Sequence, residues 1–396
     1  MHISKKAKKL ILSPMRKFHP YNMAAKARGV KIYCLNIGQP DIATPQIAFD
    51  AVAKFDSNIL SYAPSPGIPS LIDGICDYYG KINVNISADD VLVTTGGSEA
   101  LQFVCNCILD DGDEVIIPEP FYPNYSTFVH AAGGEICPLE TCPEDGYFYA
   151  DRAKIEARIN DRTRAIIITN PGNPTGVALN KEQVEMFLDI AKQHDLYLIA
   201  DEVYREFNYS DTPLVSFGEY PEYGDNVVLI DSVSKRFSAC GARIGAVICR
   251  NKELMNEVLK FCQSRLSVAS LEQTAATAMY TLGAEYFDEI RKEYQLRRDT
   301  VVGKLKEIPG VVTTTPDGAF YTMAALPVDD ADAFQIWLLT EFTDNGETVM
   351  FAPGAGFYET KGKGKNEIRI AYVLQQSRLE RAMDLLKLGI EAYQNR

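Results

Sequence analysis

Six short apolar runs constrain this chain more than any other feature. VLVTT, EVIIP, AIIIT, LYLIA, NVVLI and IGAVIC each give way at their C-terminal end to a polar or glycine-rich turn. Runs that are continuous rather than alternating read as strands buried on both faces. Between several of them lie stretches such as KEQVEMFLDIAKQHD, with apolar residues at helical spacing. Strands alternating with helices predict an α/β fold, a mostly parallel central sheet covered by helices. Ligands on such sheets bind outside the carboxyl ends of the strands. The turns after the runs are therefore where chemistry is expected.

After about residue 285 the pattern changes. EYFDEIRKEYQLRRDTVVGKLKEI predicts one long amphipathic helix, followed by mixed short elements and a last helix in SRLERAMDLLKLGIEAY. This predicts a smaller α+β domain. The expected division is an N-terminal segment (1–45) packing with the small domain, a large domain (46–284) and the small C-terminal domain (285–396). With 396 residues, 46% of them hydrophobic, the chain has material for more than one core. Its net charge of −13 argues against nucleic acid as a partner. No apolar run approaches the roughly 20 residues that cross a bilayer, so no membrane association is expected. The nine cysteines are scattered, and Cys105 and Cys107 are too close for a zinc or redox pair. No metal site is expected, and reduced thiols fit a cytoplasmic setting. Lys5, Lys6, Lys8 and Lys9 read as a solvated helix face, because LIL is too short for a signal-peptide core.

The strand ends carry the functional candidates. VLVTT runs into Gly96, Gly97 and Ser98. That turn is either a phosphate cradle at a helix start or a plain cap at Ser98 with Glu99 in the first turn. After EVIIP come Phe121 and Tyr122, as core packing or as a ring to stack on a flat ligand. After AIIIT the stiff turn NPGNPTG offers Asn173, a donor and acceptor at the sheet's end. LYLIA ends at Asp201, a costly place for an unpartnered carboxylate. A partner other than a protein side chain is favoured there. Tyr204 is in reach, and Glu202 reads as nearer the surface. After NVVLI, the stretch DSVSKRFSACGARIG holds Lys235 between serines, with Arg243 eight residues on. A lysine in such a place has its ammonium disfavoured and its amine made nucleophilic. A phosphate cradle, a flat ring, a carboxylate, a phenol and an amine together fit pyridoxal 5′-phosphate.

At this point the chain resembles the class I and II aminotransferases, fold-type-I pyridoxal-phosphate enzymes similar to aspartate aminotransferase. The resemblance runs from LNIGQPD to IRIAY, with NPGNPTG, DEVY and SxSK…GxR in family order. It implies that Lys235 bonds the cofactor's aldehyde, Asp201 pairs with the ring nitrogen, and Tyr204 and Asn173 meet the phenolic oxygen. Tyr122 would stack on the ring. Gly97, Ser98, Ser232, Ser234 and Arg243 would hold the phosphate. Arg369 would grip the substrate's α-carboxylate beside Gly38. Tyr62 would reach the phosphate of a neighbouring subunit, which implies a homodimer with shared sites. The implied reaction moves an amino group between an L-amino acid and a 2-oxo acid in a ping-pong cycle. Aspartate or another amino acid with 2-oxoglutarate is the expected pairing. Arg265 and Arg16 are the candidates for contacting the substrate side chain. The alternative is a carbon–sulfur β-lyase on the same fold, which the cofactor-holding residues do not discriminate. A nicotinamide dehydrogenase is disfavoured, since no G-x-G-x-x-G follows the first strand. A DNA-binding regulator is disfavoured by the acidic charge and by a fold that fills the chain.

Overall fold

The computed structural model describes residues 1–396. Strand β1 (Lys31–Cys34) precedes the main sheet. Seven strands then build that sheet: β2 (Val91–Thr94), β3 (Glu114–Glu119), β4 (Glu135–Glu140), β5 (Thr163–Thr169), β6 (Tyr197–Asp201), β7 (Val227–Ser232) and β8 (Gly245–Cys249). Their order is β2-β8-β7-β6-β5-β3-β4. All pairs are parallel except those of β8, which runs antiparallel to both β2 and β7.

The continuous apolar runs follow from burial on both faces. Along β5, Ile166 and Ile168 pack into one core, while Ala165 and Ile167 face a second core on the other side. Strand side chains alternate, so a sheet covered on both faces needs apolar residues at every position. Helices supply both covers: Lys181–Gln193 packs on the first face through Val184, Phe187 and Leu188, and Gly96–Ile108 on the second through Ala100, Leu101 and Val104.

A separate core surrounds a four-stranded sheet of order β12-β13-β10-β9, formed by β9 (Val312–Thr313), β10 (Tyr321–Ala325), β12 (Ala352–Pro353) and β13 (Glu367–Ala371). The helix Ala284–Lys306 buries Ile290, Tyr294, Val301 and Leu305 there, beside the last helix, Gln376–Gln394. Strand β11 (Glu347–Met350) pairs in parallel with β1. The first lysines are tied to the main-sheet side instead: Lys6 lies 2.7 Å from Asp111 and Lys9 pairs with Glu135. The basic cluster is therefore partly neutralised within the chain rather than purely solvated. No helix is long and apolar enough to cross a membrane.

Candidate active site

The carboxyl ends of β5, β6 and β7, the start of the helix after β2, and residues of β10 and β13 meet at one cavity of about 640 Å³. Gly38, Gly97, Ser98, Tyr122, Asn173, Asp201, Tyr204, Ser232, Ser234, Lys235, Arg243 and Arg369 all line it. Arg16 lines it too, from the N-terminal segment. Its charged walls are Arg16, Lys235, Arg243 and Arg369 against a single carboxylate, Asp201. In a chain of net charge −13, this is a positive pocket, suited to concentrating anions.

Lys235 sits in the four-residue helix Val233–Arg236, capped by Ser232, whose hydroxyl accepts from the Ser234 amide at 3.2 Å. Its Nζ donates to the Gly38 carbonyl at 2.9 Å and lies 3.9 Å from Cys240 Sγ. Asp231, four residues earlier, is already engaged. It pairs with the fully buried Arg236 and accepts from Tyr280 at 2.6 Å. The Lys235 amine therefore faces the cavity without an acidic partner.

The antiparallel turn of β8 explains the glycines around it. Gly245 begins β8 directly under the start of the helix Gly96–Ile108. A Cβ at Gly245 would lie 2.5 Å from the Gly96 carbonyl carbon and 2.7 Å from the Gly97 nitrogen. Arg243 precedes it with φ +54°, a left-handed conformation unusual for a side-chain-bearing residue. Its guanidinium folds over Gly96, where a Cβ would stand 2.5 Å from Nη2. The helix starts three residues earlier than a cap at Ser98 requires. Thr95 is the cap residue, Glu99 accepts from its amide at 2.7 Å, and Ser98 lies within the first turn. Free amides of that turn and Arg243 thus converge on one spot.

Asp201 ends β6 at 6% exposure. Burial lifts its carboxyl to about 6, against the pull of a hydrogen bond from Tyr125 and the charge of Lys235. Tyr125 donates to Oδ2 at 2.6 Å, and the Val203 amide approaches Oδ1 at 3.4 Å. The expectation of a wholly non-protein partner is thus corrected: one oxygen is held by a protein hydroxyl, and the other has only a long backbone contact. Glu202 also differs from its expectation. It is fully buried, accepting from Ser216 and the Phe217 amide, with Arg205 at 3.8 Å. It points to the opposite face of the strand end, into the core, and needs those partners there.

Arg369 comes from β13, opposite Met323 of β10. Its Nη1 donates to Asn173 Oδ1 at 3.1 Å and its Nη2 to the Asn36 carbonyl at 2.8 Å. Its Nε has no partner although buried. The rings of Tyr321 and Phe357 flank it at 4.6 and 4.9 Å. Burial holds the guanidinium below its usual pKa, so a carboxylate here would relieve a cost the fold imposes. Burial also pushes the Tyr122 phenol up to about 12 and raises the Tyr204 phenol well above its ordinary value.

Two sequence candidates lie elsewhere. Tyr62 is 79% exposed and outside the cavity. Arg265 is held by Glu99 at 3.6 Å and by the Val93 carbonyl at 3.2 Å, away from the cavity. Phe121 is core, as its packing alternative has it. Tyr125, Tyr321, Phe357 and Cys240 line the cavity without having been singled out. Tyr125 was accessible by the strand-end rule, three residues past Tyr122. Tyr321 and Phe357 belong to the region after residue 285, where no comparable rule applied.

The family described as "Aminotransferase class I and II" matches residues 30–386. The chain is 31% identical over 379 residues to a Bacillus subtilis protein named aspartate aminotransferase, covering 93% of each. A Pyrococcus horikoshii protein of the same name is 31% identical over 371 residues, 91% of each. Among solved structures, a single mutant of Thermus thermophilus aspartate aminotransferase superposes with a TM-score of 0.90 at 26% identity, covering 98% of this chain and all of that one. Pyrococcus furiosus alanine aminotransferase does so at 0.90 and 30% identity, covering 99% and 100%.

Proposed function

Given that this chain belongs to the class I and II aminotransferases, we propose that it moves an amino group between an L-amino acid and a 2-oxo acid, using pyridoxal 5′-phosphate held at Lys235. The observation that carries this reading is one cavity in which an acid-free lysine amine faces Asp201, Tyr204, Arg243 and Arg369. The donor set fits the cofactor: two glycines and a helix start under Arg243 for a phosphate, a carboxylate with a free oxygen for a ring nitrogen, and phenols on the wall. About 640 Å³ falls in the usual range for a ligand site. When bound, the cofactor supplies an aldehyde that bonds amines and a ring that draws electrons from the adjoining carbon.

The chain's own residues do the rest in this reading. Gly97, Ser98, Ser232, Ser234 and Arg243 bind the phosphate. Asp201 holds the proton on the ring nitrogen, the cation opposing the burial that lifts its carboxyl. Asn173 and Tyr204 orient the phenolic oxygen, and Tyr122 lies against the ring. Lys235 takes the proton from the substrate's Cα and returns one, as base and then acid. Arg369 grips the α-carboxylate beside Gly38 with the fork geometry of a guanidinium. Arg16 is a third guanidinium on the wall, which supports an acidic donor such as aspartate with 2-oxoglutarate as acceptor.

Tyr62 belongs to a stretch in which Ile59 and Leu60 are also exposed, at 73% and 66%. Adjacent exposed apolar residues favour a protein interface, and we assign this one to a second copy whose site Tyr62 completes. The division into 1–45, 46–284 and 285–396 is part of the same reading. A panel of amino donors against 2-oxoglutarate and pyruvate tests it, with cysteine conjugates as a parallel arm. Release of pyruvate and ammonia without an acceptor as the main activity would replace transamination by β-elimination. Lys235→Ala is expected to abolish the borohydride-trapped cofactor adduct. An adduct that persists moves the covalent bond elsewhere.

A further inference from the structure

Tyr321 is 2% exposed and touches three of the groups named above. Its ring lies against Arg369, 4.6 Å from the guanidinium carbon. Its hydroxyl is 3.0 Å from that of Tyr204 and 3.5 Å from the Gly38 carbonyl, the same oxygen that accepts from Lys235. Asn173 joins the other two, donating to Tyr204 at 3.4 Å and accepting from Arg369 at 3.1 Å. Arg369, Asn173, Tyr204 and Tyr321 therefore form a closed ring of contacts. It spans both sheets.

The surrounding backbone builds this ring. Gly38 has no side chain where a Cβ would run into the Tyr321 phenol. The turn before Tyr321 is bolted to the turn of Asn173, with Asp317 and Gly318 both donating to the Gly176 carbonyl at 3.0 and 2.9 Å. Gly176 has φ +75°, and a Cβ there would stand 2.8 Å from the Tyr321 carbonyl. Each phenol has one proton to give. If Tyr321 gives its proton to Tyr204, the proton of Tyr204 is free to point into the cavity.

We propose that Tyr321 is a positioning residue that steadies Arg369 with its ring and aims the Tyr204 proton with its hydroxyl. Carboxylate capture is thereby tied to the groups around Lys235. A carboxylate at Arg369 competes with Asn173 for the same N–H groups, and Asn173 in turn holds Tyr204. The inference rests on the proposed roles of Arg369 and Tyr204, which need no part from Tyr321.

The test uses cofactor-loaded protein and two unreactive carboxylates, succinate and 3-phenylpropionate. The pH midpoint of the visible cofactor absorbance is measured with and without each, in wild type, Tyr321→Phe and Tyr321→Leu. Asp201, Tyr122, Tyr204, Cys240, Arg16, Arg243 and Arg369 also border Lys235 and are left unchanged. In wild type a bound carboxylate is expected to raise the midpoint. Tyr321→Phe keeps the ring, so carboxylate affinity is expected to stay close to wild type while more than half of the midpoint rise is lost. Tyr321→Leu loses the ring contact, and affinity is expected to fall about tenfold, within the range for a desolvated cation–ring contact. A full midpoint rise in Tyr321→Phe overturns the hydroxyl's role, and unchanged affinity in Tyr321→Leu overturns the ring's. A wild type whose midpoint ignores both carboxylates fails differently: it removes Arg369 from carboxylate binding, and the inference with it.

Discussion

Replacing Asp201 with asparagine is expected to change the cofactor-free and the loaded protein in opposite directions. In the cofactor-free protein, burial lifts the carboxyl from its ordinary 3.8 to about 6. At about 1.36 kcal/mol per unit, ionising it costs the folded state about 3 kcal/mol above pH 6. The folded protein holds this proton longer than the unfolded chain does. The stability it contributes is therefore complete below about pH 4 and is lost as pH rises through 6. Asparagine has no such penalty, and its side-chain oxygen still accepts from Tyr125. Cofactor-free Asp201→Asn is thus expected to exceed wild type by about 3 kcal/mol at pH 8 and about 1.6 kcal/mol at pH 5. In the loaded protein the variant lacks the anion that holds the ring nitrogen's proton. Cofactor binding is expected to weaken by about 1.5–3 kcal/mol, the range for hydrogen bonds to charged groups. Urea unfolding of both forms at the two pH values reads the first effect, and equilibrium cofactor binding the second. A cofactor-free variant no more stable than wild type at pH 8, or a gain that does not shrink at pH 5, refutes the burial reasoning. Undiminished cofactor affinity refutes the assigned contact.

Other outcomes follow from single residues. Arg369→Lys removes the fork between Asn173 and Asn36, and carboxylate affinity is expected to fall by about 1.5–3 kcal/mol, read as a rise in KM for every donor. Gly245→Ala drives a methyl into the backbone of Gly96 and Gly97. A loss of about 1–3 kcal/mol in stability is expected, with a larger loss of cofactor retention, read by thermal melting and by absorbance after dialysis. Arg265→Ala is expected to leave KM unchanged for acidic and neutral donors alike, because its guanidinium lies outside the cavity, beside Glu99 and the Val93 carbonyl.

What the sequence made legible is what burial writes into residue type. Asp201, Asn173 and Lys235 stood out because each lies at or just past the end of an apolar run, where a polar group must have a reason. The long helix Ala284–Lys306 was equally plain from its spacing. Three other features left no such trace. Strand β8 is as apolar as its neighbours, and apolar content does not encode direction, so its reversal and the resulting pressure on Gly245 were invisible. Strand β4, EICPLE, lies at the sheet's edge with its first and last residues exposed, and a proline and two glutamates hide it among loops. Glu202 looked like a surface residue because two of its partners, Ser216 and the Phe217 amide, are brought to it by tertiary packing. Tyr321 was hidden for the same reason, since its partners lie on β13 and on the turns after β5 and β6.

The reversal of β8 also sets an order of assembly. Strand β2 has β8 as its one neighbour in the sheet, so during synthesis it stays unpaired until Cys249 has been made. At that point Lys235, Arg243, Asp201 and the Gly96 turn are all present, while Arg369 has yet to be translated. Ribosomes add about 5–20 residues per second, so the interval is on the order of ten seconds. A nascent chain thus has the groups that would bind the cofactor before it has the guanidinium of Arg369 that would grip a substrate's α-carboxylate.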